Sequence, residues 1–336
     1  HLLKRHLLKR HLLKRHLLER PMQEVELTVA DVMTTRLVTL SSEEHVLDGI
    51  DRLLQKEISG APIVDPEGRF LGMFSEKSCI NAFEVIDDER RRRCDESMQF
   101  VRAKDCMQTS LVTVSPDCDV FDAIGKLLAN RISGLPVIDV SGQFRGVFSE
   151  RSAMRVLIDL TWNQMSRGPV SAWMDADRAR TVTEQAILPD LRRRFSETHY
   201  RRLPVLNRGR LVGQISRQDV LRAELNSLVN SYQFSPGSMK LPEWFPPAPR
   251  QMWRVDNFAF KHVATVGPDY DLMLVAQEFF LTSARRFPVV SSGRLIGQIS
   301  RRDLLRSVQY LFPREKPTQS PLYLSAGVSD VATVLK

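Results

Sequence analysis

No stretch of this 336-residue chain approaches the roughly 18 consecutive apolar residues that cross a bilayer. No apolar signal core follows the basic start, so the sequence predicts a cytoplasmic protein with no membrane span. Cysteine is scarce. Cys79, Cys94, Cys106 and Cys118 show neither CxxC nor zinc spacing, which predicts reduced, packed thiols and no metal site. His45, His199 and His262 stand apart from any Cys or Glu partner and read as surface or packed side chains. There is no G-x-S-x-G, Walker loop, HExxH or long GxGxxG unit, so no enzyme is expected.

Basic charge is scarcer than the net charge of +8 suggests. Residues 1–20 read HLLKR, HLLKR, HLLKR, HLLER and hold six of those eight charges. The remaining body is nearly balanced, which speaks against a nucleic-acid partner. A period of five advances a helix by about 500°, so the leucine pairs smear around it and build no stripe. Residues 1–22 are therefore read as a low-complexity basic arm, either native or foreign to the folded part. Arg90 to Arg93 and Arg192 to Arg194 read as solvated faces or salt-bridge partners rather than nucleic-acid contacts.

What the chain has is a sentence repeated four times. The copies contain Gly72-Met73-Phe74-Ser75, Gly146-Val147-Phe148-Ser149, Gly213-Gln214-Ile215-Ser216 and Gly297-Gln298-Ile299-Ser300. Internal repetition of this kind decides the architecture first. In the second copy, Leu111 to Val114 reads as a short strand and Ser115-Pro116 as a helix start. Val120, Phe121, Ile124, Leu127 and Leu128 recur at helical spacing. Leu135-Pro136-Val137-Ile138 and Phe144 to Phe148 read as a hairpin across Ser141-Gly142, and Ser149 opens a second helix. The first copy matches, with a Leu37 to Leu40 strand and a capping-box spacing at Ser41 and Glu44. Each unit is thus strand, helix, strand, strand, helix. At about 55–60 residues it is marginal alone and must pair.

These residues carry a family resemblance. Val32-Met33-Thr34, Cys106-Met107 and Trp173-Met174 resemble the opening motif of the CBS domain. The Ala/Leu-Pro-Ile/Val strand and the Gly-x-x-Ser ending resemble its second half. The resemblance implies an α/β (α+β) fold of four β-α-β-β-α CBS repeats at 27–84, 101–158, 168–226 and 255–310. They form two tandem pairs, or Bateman modules: repeats 1 and 2, then 3 and 4, arranged as a disc. The architecture is similar to that of gamma subunits of AMP-activated protein kinases. A Pro- and aromatic-rich linker at 230–254, with Trp244 and Trp253, and a Pro-bearing tail at 311–336 complete the chain.

The copies differ where chemistry would occur. Repeats 3 and 4 read Ser216-x-x-Asp219 and Ser300-x-x-Asp303; repeats 1 and 2 place Ser75 with Ser78 and Ser149 with Ser152. A helix N-terminus suits a phosphate, and a carboxylate one turn on can accept from both hydroxyls of a ribose. Before the Pro strand, repeats 3 and 4 carry Arg201-Arg202 and Arg285-Arg286, where repeats 1 and 2 carry Ser59-Gly60 and Ser133-Gly134. Guanidinium groups fit phosphate oxygens. Each feature alone has an ordinary structural explanation, as a helix cap or a solvated pair. Both shift together in the same two copies, which points to a ligand.

The resemblance implies that one repeat supplies the acid and its neighbour the basic pair. Asp219 would then meet Arg285 and Arg286, and Asp303 would meet Arg201 and Arg202. The adenine would lie near Thr181-Val182 or Thr265-Val266. The implied function is a non-enzymatic regulator that needs no cofactor. It binds AMP, ADP or ATP in the C-terminal pair and signals to an unidentified protein, with homodimerisation through the modules possible. The alternatives are an interaction scaffold with vestigial pockets, or a module for S-adenosyl compounds or RNA.

Overall fold

A computed structural model describes residues 27–93, 101–161, 168–177, 179–232, 254–255, 259–282 and 284–311. The basic arm, Cys94, nearly all of the aromatic linker and the tail after residue 311 lie outside the described residues.

Each repeat has a first helix: Val46–Gln55, Val120–Ala129, Leu188–Glu197 and Leu272–Leu281. An antiparallel hairpin follows: Gly60–Val64 with Phe70–Ser75, Gly134–Ile138 with Phe144–Ser149, Arg202–Asn207 with Arg210–Ser216, and Arg286–Ser291 with Arg294–Ser300. A second helix starts at the residue after the closing Ser: Glu76–Arg93, Glu150–Thr161, Arg217–Tyr232 and Arg301–Leu311. In repeats 3 and 4 the hairpin turns are Arg208-Gly209 and Ser292-Gly293, with φ positive at both residues of each. That is the backbone a two-residue hairpin demands.

Three local expectations give way. The leading strands shrink to Leu40–Ser41 in repeat 1 and to a single parallel bridge at Val114 in repeat 2. Only those residues lie alongside the Pro strand. The helix expected from Ser115-Pro116 begins at Val120, capped by Asp119, whose carboxylate accepts from the N–H groups of Phe121 and Asp122. A charged acceptor nearer the apolar run replaces the hydroxyl. The Ser41–Glu44 capping box does not form. His45 caps that helix through Nδ1, and Glu44 instead pairs with Arg52 at 3.0 Å.

The repeated Gly has a steric cause. The opening segment of each repeat crosses the hairpin of its neighbour, and the crossing lands on that Gly. The Thr34 and Val147 backbones exchange both hydrogen bonds, as do Gln108 and Met73, Phe260 and Gln214, and Asp175 and Gln298. A Cβ at Gly146 would lie 2.6 Å from the Thr34 carbonyl oxygen, and one at Gly72 would lie 2.8 Å from that of Gln108. The exchange is reciprocal within 1/2 and within 3/4, so these are the tandem pairs. In repeats 3 and 4 the hairpins also join into one five-stranded sheet through Arg210 and Arg294. In repeats 1 and 2 the hairpin tips meet, with the rings of Phe70 and Phe144 stacked at 5.8 Å.

Helices do the opposite job. One hydrophobic cluster joins repeat 1 (Leu47, Ile50, Phe74, Ile80, Phe83) to repeat 3 (Leu188, Phe195, Leu203, Leu221). A second joins repeat 2 (Val120, Ile124, Phe148, Met154) to repeat 4 (Leu272, Phe279, Phe287, Leu305). Backbone exchange thus makes the pairs, and apolar helix faces lock the two pairs together within one chain.

Gly146→Ala should therefore destabilise the fold by about 1–3 kcal/mol, because backbone must move to admit the methyl. Gly125→Ala has open space around its Cβ in the interior of a helix and should stabilise by about 0.5–1 kcal/mol. Urea unfolding of the two variants checks the contrast; equal effects would contradict it.

Candidate functional site

Ser216 and Ser300 end their hairpins, and Asp219 and Asp303 sit in the first turn of the next helix. One carboxylate oxygen of Asp219 accepts from the Ser216 N–H at 2.7 Å and from its hydroxyl at 2.6 Å. Asp303 does the same with Ser300, at 2.8 and 2.5 Å. The serine oxygens accept the aspartate N–H groups in return. Each helix start is closed by its own side chains. The second oxygen of each acid lies 3.8 Å from an arginine one turn on, Arg222 or Arg306, beyond hydrogen-bond range. Burial pushes the Asp219 carboxyl up, against the pull of Ser216 and Arg222.

Repeats 1 and 2 hold a neutral version. The hydroxyls of Ser75 and Ser78 face each other at 3.1 Å, those of Ser149 and Ser152 at 3.3 Å. No carboxylate stands at the Ser78 or Ser152 position.

The arginine pairs are split by the strand. Arg202 is the register partner of Ser216, and Arg286 that of Ser300. Arg202 therefore acts on Asp219, and Asp303 on Arg286. The cations that act on each acid come from its own repeat, Arg222 and Arg202 on Asp219, and Arg306 and Arg286 beside Asp303. The link between repeats runs through the other member of each pair. Arg285 and Arg201 come close enough to repel, and burial plus that repulsion push Arg285 down to about 10. Nη1 of Arg201 and Nη1 of Arg286 are buried and meet no hydrogen-bond acceptor among the described residues. Thr181-Val182 and Thr265-Val266 run beside the Pro strands, Val182 and Val266 pairing in parallel with Val205 and Val289. The two valine side chains enter the hydrophobic clusters, so what a base could meet there is backbone.

Two clefts result. One holds Asp219, Arg202 and the opening segment of repeat 4, with Phe260 beside Gln214. The other holds Asp303, Arg286 and the opening segment of repeat 3, with Asp175 beside Gln298. No group of His, Cys, Asp and Glu among the described residues has metal-binding geometry.

A CBS-domain profile matches residues 29–85, 103–159, 165–226 and 255–310, more than half of the chain. The chain belongs to the CBS-domain family. Among similar sequences, the chloroplastic CBS-domain protein CBSX1 of Arabidopsis thaliana is 31% identical over 140 residues, 34% of this chain and 59% of that protein. Protein MJ1225 of Methanocaldococcus jannaschii is 27% identical over 120 residues, 35% of this chain and 41% of that one. The alignments thus span only part of these relatives. The solved structure of MJ1225, described as a proposed archaeal homolog of g-AMPK, superposes with a TM-score of 0.72 at 18% identity. It covers 83% of this chain and 99% of that one. A protein of Pyrococcus horikoshii gives a TM-score of 0.50, also at 18% identity, over 84% of this chain and all of that one. At such identities the likeness shows the fold: four CBS repeats in two Bateman modules.

Sequence reasoning passed over the residue after each closing Ser in this CBS protein. It is Glu76 and Glu150 in the first module, Arg217 and Arg301 in the second, and all four are buried. Arg217 donates to the Phe195 and Thr198 carbonyls, and Arg301 to that of Phe279, so both cap the end of their own first helix. Glu150 reaches across to Arg302 at 3.2 Å. Glu76 and Glu150 both act on Arg285. Burial, then the cations Lys77, Arg217, Arg131 and Arg302, push His199 down. The acids of the first module therefore face a basic centre built by the second. A switch from Ser-Glu to Ser-Arg in the same two copies was the available signal.

The raised Asp219 carboxyl has a pH consequence. Its contribution to stability is full below the ordinary carboxylate value and is lost as pH rises through the raised one. Relative to the unmutated chain, Asp219→Asn should grow more stable as pH rises from 3 to 7. Denaturant unfolding across that range checks it; a constant difference would contradict it.

Proposed function

We propose that this protein is a regulatory CBS protein that binds an adenine-containing ligand in its C-terminal pair, through Ser216, Asp219, Arg201 and Arg202 together with Ser300, Asp303, Arg285 and Arg286. The observation that carries the reading is a pair of buried guanidinium N–H groups, Nη1 of Arg201 and Nη1 of Arg286, that meet no acceptor among the described residues, where Arg201 and Arg285 from different repeats also repel each other. Such donors cost about 1–3 kcal/mol each when unpaired, and a phosphate group satisfies them while offsetting the repulsion. A sugar hydroxyl completes the arrangement by donating to the second oxygen of Asp219 or Asp303, the one its serine leaves free.

The hydroxyl pairs of repeats 1 and 2 accept and donate without charge, so Ser75, Ser78, Ser149 and Ser152 contribute little to holding a ligand. Their module serves instead as the responding half. Its Glu76 and Glu150 compete with an incoming anion for the same arginines. A ligand that outcompetes them favours one packing of the modules over another, which is how binding becomes a signal to a partner protein.

Isothermal titration of AMP or ADP should give one or two sites. Asp219→Ala with Asp303→Ala together should weaken them at least tenfold. Unchanged heats in the double variant would overturn the assignment.

A further inference from the structure

The residue after the repeated Gly changes in the same two copies as the acids and the arginine pairs. It is Met73 and Val147 in repeats 1 and 2, and Gln214 and Gln298 in repeats 3 and 4. The two apolar side chains are half-buried, whereas the glutamines are only 8% and 2% exposed. An amide is thus enclosed more tightly than the hydrocarbon in its place, the reverse of what burial alone favours.

Strand register sets the face these amides take. Ile299 joins the hydrophobic cluster, so Gln298 and Ser300 point to the other side of the strand. Across the hairpin lie Pro288, opposite Gln298, and Arg286, opposite Ser300, on that same face. The Gln298 backbone is engaged by Asp175, donating at 2.9 Å and accepting at 2.7 Å. Its side chain is only half engaged. Nε2 donates to the Arg180 carbonyl at 3.4 Å, while Oε1 is buried and meets no donor among the described residues. The amide is fixed in this sense, because turning it over would set its oxygen against the Arg180 carbonyl oxygen. One hairpin face therefore carries an unmet acceptor, Oε1 of Gln298, and an unmet cationic donor, Nη1 of Arg286. Buried polar groups rarely go without a partner. In repeat 3, Gln214 shares its face with Pro204, Ser216 and Arg202, but its unmet atom is a donor, Nε2.

We infer that Gln298 is the specificity-determining residue on the Asp303 side of the site, its Oε1 accepting from the exocyclic amino group of a 6-aminopurine. This rests on the proposed function above and adds the group that selects the base. The amide lies two residues, about 6.6 Å, along the strand from Ser300. A purine joined to a ribose at Asp303 spans that distance, with Pro288 as an apolar surface for the ring and Arg286 for the phosphate. A 6-oxopurine would set a carbonyl oxygen against a fixed acceptor, and an unsubstituted purine would leave Oε1 unpaired. A site built around a hydrogen bond rejects analogues that cannot make it. The donor of Gln214 meets a ring nitrogen present in all three bases, so the Asp219 side is the less selective.

Calorimetry on the full chain in an Asp219→Ala background reads the Asp303 side alone. The probes are AMP, IMP and the 5′-phosphate of purine riboside, which carries hydrogen in place of the amino group. AMP should bind at least about tenfold more tightly than either analogue. Gln298→Met, which installs the side chain repeat 1 carries at this place, should weaken AMP about tenfold, leave the analogues within about twofold and so erase the preference. Gln214→Met in the same background should leave the preference intact. Equal affinities for the three probes before any change at Gln298 overturn the inference, whether or not the variant folds. A preference that survives Gln298→Met, as a purely structural amide would give, overturns it too. Both results leave nucleotide binding itself standing. If the unmutated chain binds none of the three, the proposed function fails and the inference falls with it.

Discussion

The structure depends on one close approach made four times. The backbone of each opening segment lies against the backbone of its neighbour's hairpin, and the contact is possible only where the hairpin has no side chain. Gly72, Gly146, Gly213 and Gly297 supply those four gaps. Because the crossing is reciprocal, the two hairpins of a pair are held in fixed register, and the ends of both are turned to one centre. The Ser-x-x-Asp helix starts and the arginine pairs sit on those ends. Without the glycines there would be four marginal units and no fixed register between them.

Two different forces then divide the work. Within a pair, paired backbone hydrogen bonds set geometry and add only modest net stability. Between pairs, the buried leucines, isoleucines and phenylalanines of the helices supply most of the free energy. An assembly built this way is tightly specified in the register within each pair and bound by a non-directional apolar contact between its halves. The charges at the centre lie across that second contact. Glu76 and Glu150 belong to one half, and the arginines they face belong to the other. An anion at the centre acts on the interface that is easiest to shift.

Much of this was legible in the sequence. Helical spacing at Val120, Ile124 and Leu127 and the Gly turns placed the helices and hairpins. The coincident appearance of acid and arginine pairs in repeats 3 and 4 singled out the residues on which the proposed ligand site rests. Cap identity was not legible, because Ser115 and Asp119 are both good caps and only the packing of Val120 decides between them. Nor was the influence of Arg202, the register partner of Ser216, on Asp219, because a single residue of register decides which arginine lies opposite the serine. The role of the repeated Gly, and of the residue after each Ser, needed the neighbouring chain segment in view. Their sequence signals were present but local, and their cause was not.

The account turns on an anionic group seated between Arg201 and Arg285. A crystal structure of the chain grown with ADP tests that most directly. The account predicts density for a phosphate bridging those two guanidiniums and a ribose hydroxyl within 3.2 Å of the free carboxylate oxygen of Asp219. Density for the nucleotide between the hairpins of repeats 1 and 2, with Arg201 and Arg285 untouched, would contradict it.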